Sequence, residues 1–291
     1  MAGVNKEIWV AQLMEPFYAE SSFLDYAQDM TQFVEYNTIN LADAGIDPAV
    51  LINNNVWPIP TTQRTDTPIA IPLDTLDTEN TLVRNVEEME TAYDKMESVL
   101  KGHRRALRAS SLKRAAHAYA PNGNTTLTPI LEATGAIRAD TGRKILLIED
   151  VIKLQRAFDM IEAEGKRVMV LHPYHVEDLL TQDSKAFKEF ATLPNGAVRN
   201  IYGFTMMKYP HTAVFNGTNV KKSFGSAAVV ASDRYSSLAF LEGEVMKADG
   251  SVEMFDRLRD PDQRGDIVGF QKRFKALPTR SKFIGSLVSG T

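Results

Sequence analysis

The stretch "VEEMETAYDKMESVLKGHRRALRASSLKRAAHAYA", residues 86–120, decides how the rest of the chain is read. It has helix character throughout, and at ~1.5 Å per residue its ~35 residues would extend ~52 Å. An ordinary globular helix has only ~11–12 residues. Val86, Met89, Tyr93, Met96 and Leu100 recur at spacings of three and four, which predicts one narrow apolar stripe. Glu87, Glu88 and Glu90 stand at the start, with Arg104, Arg105, Arg108, Lys113 and Arg114 towards the end, an order that opposes the helix macrodipole. Pro121 stops the helix. By itself this stretch fits a long core helix of an enzyme as well as it fits a strut, so the segments on either side must separate the two.

With 291 residues, the chain can bury a real core as one large domain or two smaller ones. A hydrophobic content of 44% and a charged content of 24% belong to folded proteins rather than disordered ones. The net charge of −4 provides no general basic field to draw the protein to nucleic acid. There is no cysteine, which excludes disulfides, thiolate metal sites and cysteine nucleophiles. "MAGVNKEIWVAQLMEPF" lacks the apolar run of a signal peptide, and no stretch approaches the ~18 apolar residues of a membrane span. The expectation is a protein made in a reducing cytoplasm, where the sequons at Asn124 and Asn216 carry no weight.

Upstream of the helix, residues 1–44 hold short amphipathic patterns and seven aromatics: Trp9, Phe17, Tyr18, Phe23, Tyr26, Phe33 and Tyr36. Such a segment cannot bury its rings alone and must pack on the body of the chain or on another subunit. Residues 45–84 contain Pro48, Pro58, Pro60, Pro68 and Pro72, five of the 13 prolines, while Ile59, Ile69, Ile71 and Leu73 alternate as in a strand. Prolines at even spacings suit an edge that faces no partner. The pattern predicts a two-stranded ribbon turning near Arg64–Thr67 with blunted edges. A lone ribbon is marginal in water, so it is expected to lie on a neighbouring molecule or to close as a flap over its own domain.

Downstream, 121–142 is turn-rich. "ILLIEDVIKLQRAFDMIEAEG" predicts a helix using Ile148, Val151, Ile152, Phe158 and Ile161 and ending at Gly165. "RVMVLHP" reads as a buried strand and "YHVEDLL" as a short helix, giving an α/β patch over about 143–190. From 197 the texture is strand: "AVRNIYGFTMMKYP", "TAVFN", "SAAVVAS", "SLAFLEGEVMKADGSVEMFDRL" and "RGDIVGFQKRFKALP", with Asp249-Gly250 predicted as a hairpin turn. No internal repeat or low-complexity tract interrupts this order.

The candidate chemistry is thin. "GAIRADTGRK" has six residues between Gly135 and Gly142 and no Ser or Thr after its lysine, so it is not a phosphate loop. "DPDQRGD", 260–266, imitates a calcium loop through Asp260, Asp262 and Gly265, but Arg264 and Gln271 stand where oxygen ligands belong. It reads as a charged turn. His172 and His175, with Glu177 and Asp178, could offer a two-histidine, one-carboxylate metal site, although a satisfied structural pair is the simpler reading. The basic residues of "KGHRRALRASSLKR" spread around the helix and lack base-stacking aromatics, which favours helix-end charge and salt bridges over a nucleic-acid face.

The order of aromatic arm, ribbon, long helix, α/β patch and returning strands resembles the major capsid proteins of tailed bacteriophages of the Hong Kong 97 type. "GVNKEIW", "LDTENTLVRN" and the closing "RDPDQRGDIVGFQKRFKALP", with its strand opening Val-Gly-Phe, carry the same resemblance. It implies an α+β fold with an N-arm (1–44), an extended β-hairpin loop (45–84), a spine helix with its following loop (85–142), an axial domain (143–222) and returning peripheral strands (223–291). It further implies a non-enzymatic virion protein without cofactor or bound metal. Copies would assemble as hexamers and pentamers into an icosahedral shell around double-stranded DNA, which the inner wall touches non-specifically. Its partners would be a separate scaffolding protein, since no ~100-residue leading segment precedes the arm, together with a portal and a cement or decoration protein. It would be synthesised in the bacterial host cytoplasm and contact no membrane. Trp9, Phe17, Trp57, Arg64 and Asp66 are the expected intersubunit contacts. Some members weld subunits through a lysine in the extended loop, but this chain has no lysine between Lys6 and Lys95, so that crosslink is excluded.

Three other readings stay open at this stage. One is an encapsulin-like nanocompartment shell. Another is an α/β enzyme with a β-hairpin flap, whose only convergent groups would be His172, His175, Glu177 and Asp178. A monomeric nucleic-acid-binding module is the third, and the net charge argues against it.

Overall fold

The computed structural model describes residues 22–35, 38–43, 58, 67–84, 95–182, 199–228 and 232–290. In chain order these form β1 (Gln28–Asp29), β2 (Val34–Glu35), β3 (Thr38–Asp43), β4 (Thr67–Pro72), β5 (Asp74–Asp77), β6 (Thr81–Arg84) and helix α1 (Lys95–Tyr119). Then follow β7 (Ile130–Glu132), α2 (Ile148–Met160), β8 (Arg167–Leu171), α3 (Pro173–Gln182), β9 (Arg199–Ile201), β10 (Phe204–Lys208) and β11 (Val214–Phe215). The chain closes with β12 (Arg234–Leu241), β13 (Val245–Asp260), β14 (Gly265–Pro278) and β15 (Ile284–Ser289).

Two sheets organise the described residues. The first is built on the long antiparallel hairpin β13–β14, with β1 beside β13 and both β5 and β6 paired to the far edge of β14. Along β14 the side chains of Val268, Phe270, Lys272, Phe274 and Ala276 are buried at period two, as expected of a strand with one covered face. That cover is α1. Leu100 and Leu107 pack with Val83, Met254, Val268 and Phe270, and the His103 ring lies 5.2 Å from that of Phe270.

The second sheet has the strand order β7-β15-β12-β8-β10-β9, with β11 on β12; β8 and β10 run parallel, while β12 is antiparallel to its neighbours β8 and β15. Both faces are covered: β8 is apolar from Val168 on, and every residue of β15 is buried, Ser286 and Ser289 included. On one face α2 and α3 bury Val151, Leu154, Phe158, Val176 and Leu179 against Met169, Leu171, Phe204, Met206 and Leu287. On the other, Val168, Val170, Leu238 and Phe240 meet Ala115, Ala116 and Tyr119 of α1, together with Phe274 and Ala276 of the first sheet. The C-terminal half of α1 is therefore the shared wall of both sheets. Tyr119 fixes it there, its ring 5.5 Å from Phe240 and its hydroxyl donating to the Met246 carbonyl at 3.1 Å.

Several expectations change. The buried stripe of α1 runs through Leu100, His103, Leu107, Ser111, Ala115 and Tyr119, continuing the predicted spacing with polar and small residues. Residues 86–94 of the predicted helix lie outside the described residues. Asp249-Gly250 is not a hairpin turn but a bulge within the continuous strand β13, where the register shifts between Asp249 and Val252. Buried Lys272 holds the bulge by an ion pair to Asp249 at 2.5 Å, and a side chain on Gly250 would meet the Arg273 Cβ at 2.8 Å. A glycine in a strand signals close backbone approach as readily as a turn. The hairpin turns instead at 261–264: Asp260 Oδ1 accepts from the backbone N–H groups of Asp262 and Gln263 at 2.8 and 3.2 Å, and Arg264 takes φ 53°. The motif read as a charged turn is one.

β4 pairs with β3, Thr38 opposite Pro72 and Asp43 opposite Thr67, in a three-stranded sheet that β4 closes at one edge. Thr67 is thus strand rather than turn, and its partner comes from the segment assigned to the arm; Arg64–Asp66 lie outside the described residues. Pro68 and Pro72 do sit on an edge strand, as the missing N–H groups require. Helix α2 ends at Met160, before Gly165, and Ile152 faces out at 45% exposure. In "SAAVVAS", Ser226–Ala228 form no strand, and 229–231 lie outside the described residues. Within 223–291, β13 and β14 form the centre of the first sheet, while β12 and β15 join the sheet that holds β8 and β10.

Candidate functional site

The four polar residues singled out at 172–178 do converge, and each is engaged in holding the fold. His172 ends β8 and starts α3: its Nδ1 accepts from the Tyr174 backbone N–H at 3.3 Å, capping the helix ahead of Pro173. Its own N–H donates to Ser237 Oγ at 2.9 Å, and its ring lies 5.1 Å from Tyr235. One turn on, the buried His175 ring spans β12 and β15, with Nδ1 2.6 Å from Ser237 Oγ and Nε2 2.7 Å from Ser289 Oγ. With Ser237 donating to Nδ1, the neutral ring donates from Nε2 to Ser289, and the chain of bonds closes without a charge. Burial, then the His172 and Arg143 charges, push His175 down to about 3. Burial, then Arg143 and His211, bring His172 to about 4. Both rings are neutral at pH 7.

Asp178 faces the other way. Arg143 grips it with both terminal nitrogens, Nη1 to Oδ2 at 2.6 Å and Nη2 to Oδ1 at 2.9 Å, and the Leu146 backbone N–H adds a third bond at 3.0 Å. Burial works to raise this carboxyl, but the Arg143 bonds, the Leu146 amide and the Arg143 charge hold it below the ordinary value. Arg138 spans Glu177 Oε1 at 2.6 Å and Asp178 Oδ1 at 3.2 Å. The loop around Gly135 and Gly142 therefore supplies two arginines that anchor it to α3. Among the described residues no group of three or more His, Asp or Glu side chains could hold a metal ion. Local sequence gave no sign of Ser237, Ser289, Arg138 or Arg143, since each partner lies 35 to 114 residues from its mate.

The end of α1 is fastened in a similar manner. Lys221 Nζ donates to the carbonyls of His117 and Ala120 at 3.1 and 2.7 Å, and burial lowers its pKa to about 8. The Arg114 guanidinium lies 4.5 Å over Phe224. A groove of about 710 Å³ runs between α1 and the β5–β6 segment, lined by Leu76, Asp77, Val99, Gly102, His103 and Ala106. Ser110 and Thr78 also line it, but the buried Nε2 of His103 bonds to neither hydroxyl.

Exposed apolar side chains are dispersed over the described surface: Ile137 on the 137–144 loop, Ile152 and Met160 on the outer face of α2, Phe224 beside α1 and Phe255 on β13. Of the seven aromatics of the opening segment, Phe23 packs against Tyr119 and Tyr209, and the Lys166 ammonium sits over Tyr26; Phe33 is exposed. The expected contact residues Trp9, Phe17, Trp57, Arg64 and Asp66 all lie outside the described residues.

No family model matches the chain, and no curated protein matches it in sequence. The architecture, however, is shared with solved structures. The capsid of cyanophage P-SCSP1u is similar over 92% of this chain and 88% of its own, with a TM-score of 0.63 at 14% identity. The chain has the Hong Kong 97-type capsid fold. The capsid of Ralstonia phage GP4 shares that fold over 96% of this chain and 90% of its own, with a TM-score of 0.63 at 11% identity. The virus-like particle from Pyrococcus furiosus does so over 97% and 99%, with a TM-score of 0.58 at 10% identity. In this fold α1 is the wall shared by the two sheets, and the buried polar residues tie α3 to β12, β15 and the 138–146 loop.

Proposed function

We propose that this chain is the major capsid protein of a tailed, double-stranded DNA bacteriophage, which self-assembles as hexamers and pentamers into an icosahedral shell around the genome. The observation that carries this reading is the likeness to phage capsids over nearly the whole length of both chains, rather than over one domain. The polar hub adds support, because the groups an enzyme would need are committed to bonds between α3, β12, β15 and the 138–146 loop. On this reading the protein acts mechanically, with no cofactor. Its partners are copies of itself, a separate scaffolding protein, a portal, a cement or decoration protein and the packaged DNA. The host cytoplasm is where it is made, and the virion is where it works.

Trp9, Phe17, Trp57, Arg64 and Asp66 are the proposed intersubunit contacts. The test is sedimentation velocity of the purified chain and of single replacements at Trp57, Arg64 and Asp66. The unmodified chain should sediment as capsomers and shells, and the variants as folded subunits that assemble poorly. Normal assembly by all three variants would remove those residues from the interface. A monomer under every condition would remove the function.

The likeness to the Pyrococcus furiosus virus-like particle supports a second reading, a nanocompartment shell around a protein cargo. Nucleic acid recovered from purified particles after nuclease treatment favours the phage, and particles holding only protein favour the compartment.

A further inference from the structure

The basic residues of α1 are arranged differently from the sequence expectation. At 3.6 residues per turn, Lys101, Arg104, Arg105 and Arg108 fall within an arc of roughly 100° on one flank of the helix, beside the stripe of Leu100, His103 and Leu107 that packs on the first sheet. Lys113 and Arg114 lie elsewhere on the helix. Within the arc, Lys101 meets both Arg104 and Arg105, and Arg108 meets both again, at the three- and four-residue spacings where like charges repel. No acidic residue stands three or four positions from any of the three arginines. Lys101 is paired with Glu97 at 2.6 Å. Arg104, Arg105 and Arg108 have no carboxylate partner among the described residues, and the Arg104 Nε is buried with no acceptor. Within the described residues this arginine cluster repels itself and finds no counter-charge.

We propose that this flank of α1 binds the phosphate backbone of double-stranded DNA. Arg104, Arg105 and Arg108, the cations of the arc without a carboxylate partner among the described residues, span ~6 Å of helix axis, about one per 3 Å. One DNA strand carries a phosphate per ~3.4 Å of its own axis, close to that interval. Guanidinium forks suit phosphate oxygens. No Phe, Tyr or Trp stands between residues 97 and 112 to stack an unpaired base, and the His103 ring is turned onto Phe270, which selects the duplex over a single strand. The inference rests on the capsid reading and places the DNA-facing contact of the shell on α1.

The test measures binding of a fluorescein-labelled, mixed-sequence 24-base-pair duplex by anisotropy between 50 and 200 mM NaCl. It compares the full chain with R104Q/R105Q/R108Q, with circular dichroism to verify the helix and electron microscopy to verify assembly. Removing three phosphate contacts should flatten the log–log salt slope by about 2.7, so the salt increase costs the unmodified chain ~40-fold more affinity than the variant. Equal slopes, or no binding by the unmodified chain, overturn the proposal. A variant that fails to assemble with its salt slope intact also overturns it, in favour of an acidic protein surface. A flattened slope in a chain that forms no shells leaves the DNA contact standing and defeats only the capsid reading.

Discussion

The His172–His175 hub makes stability depend on acidity in a calculable way. Both rings have folded pKa values of about 4 and about 3, below the ~6.5 of an exposed histidine. As the pH falls, the unfolded chain takes up protons first, so the hub's contribution is full above the unfolded pKa and drains away on acidification. Between pH 7 and pH 5 each ring should withdraw about 2 kcal/mol, and the pair about 4 kcal/mol, a large part of the ~5–15 kcal/mol that holds a protein folded. The buried carboxylates Asp178 and Asp150 have lowered pKa values and are lost only at lower pH, so this window isolates histidine. His103, His117 and His211 are lowered as well, chiefly by burial, and they steepen the curve in every variant alike. The assay is urea unfolding of His175→Gln and the unmodified chain at half-unit intervals from pH 7 to 5. The variant starts less stable, because Ser237 and Ser289 lose the ring, and should lose about 2 kcal/mol less across the range, a slope shallower by nearly one proton. Parallel curves would refute the assignment of a neutral, doubly bonded His175.

The remaining predictions concern packing and charge. Leu107→Ala, which empties the contact of α1 with Val83, Met254 and Phe270, should cost about 3 kcal/mol in thermal or urea unfolding; a loss below ~1 kcal/mol would mean that α1 is not seated on the first sheet as described. Arg143→Met strands the buried Asp178 carboxylate and should cost about 3–5 kcal/mol, most of it recovered in Arg143→Met/Asp178→Leu. If the double replacement is as unstable as the single one, the pair is not an isolated buried bridge.

The sequence carries the fold wherever burial is two-sided or the pattern is long. The apolar run of β8 announces a strand covered on both faces, and residues 95–119 announce a long helix, whereas β15, with Ser286 and Ser289 among six residues, carries no such signal. Less legible is the way α1 is held, because its buried stripe passes through His103, Ser111, Ala115 and Ala116, and small or polar residues give no apolar signal. The Asp-Gly pair at 249–250 carries the same letters as a hairpin turn, and what makes it a bulge is the buried Lys272 on the neighbouring strand. The polar hub was half visible: its histidines and carboxylates stand within seven residues, while the serines and arginines that decide what they do arrive from β12, β15 and the 138–146 loop. Helical spacing could have revealed the one-sided arc of Lys101, Arg104, Arg105 and Arg108, but the two further basic residues at 113 and 114 obscure it.

A major capsid protein, as proposed, must close into shells. Negative-stain electron microscopy of the purified protein, alone and co-expressed with a scaffolding protein, tests it most directly. Closed particles, tubes or flat arrays of hexamers are the expected result. A stable monomer or dimer in every condition would contradict it.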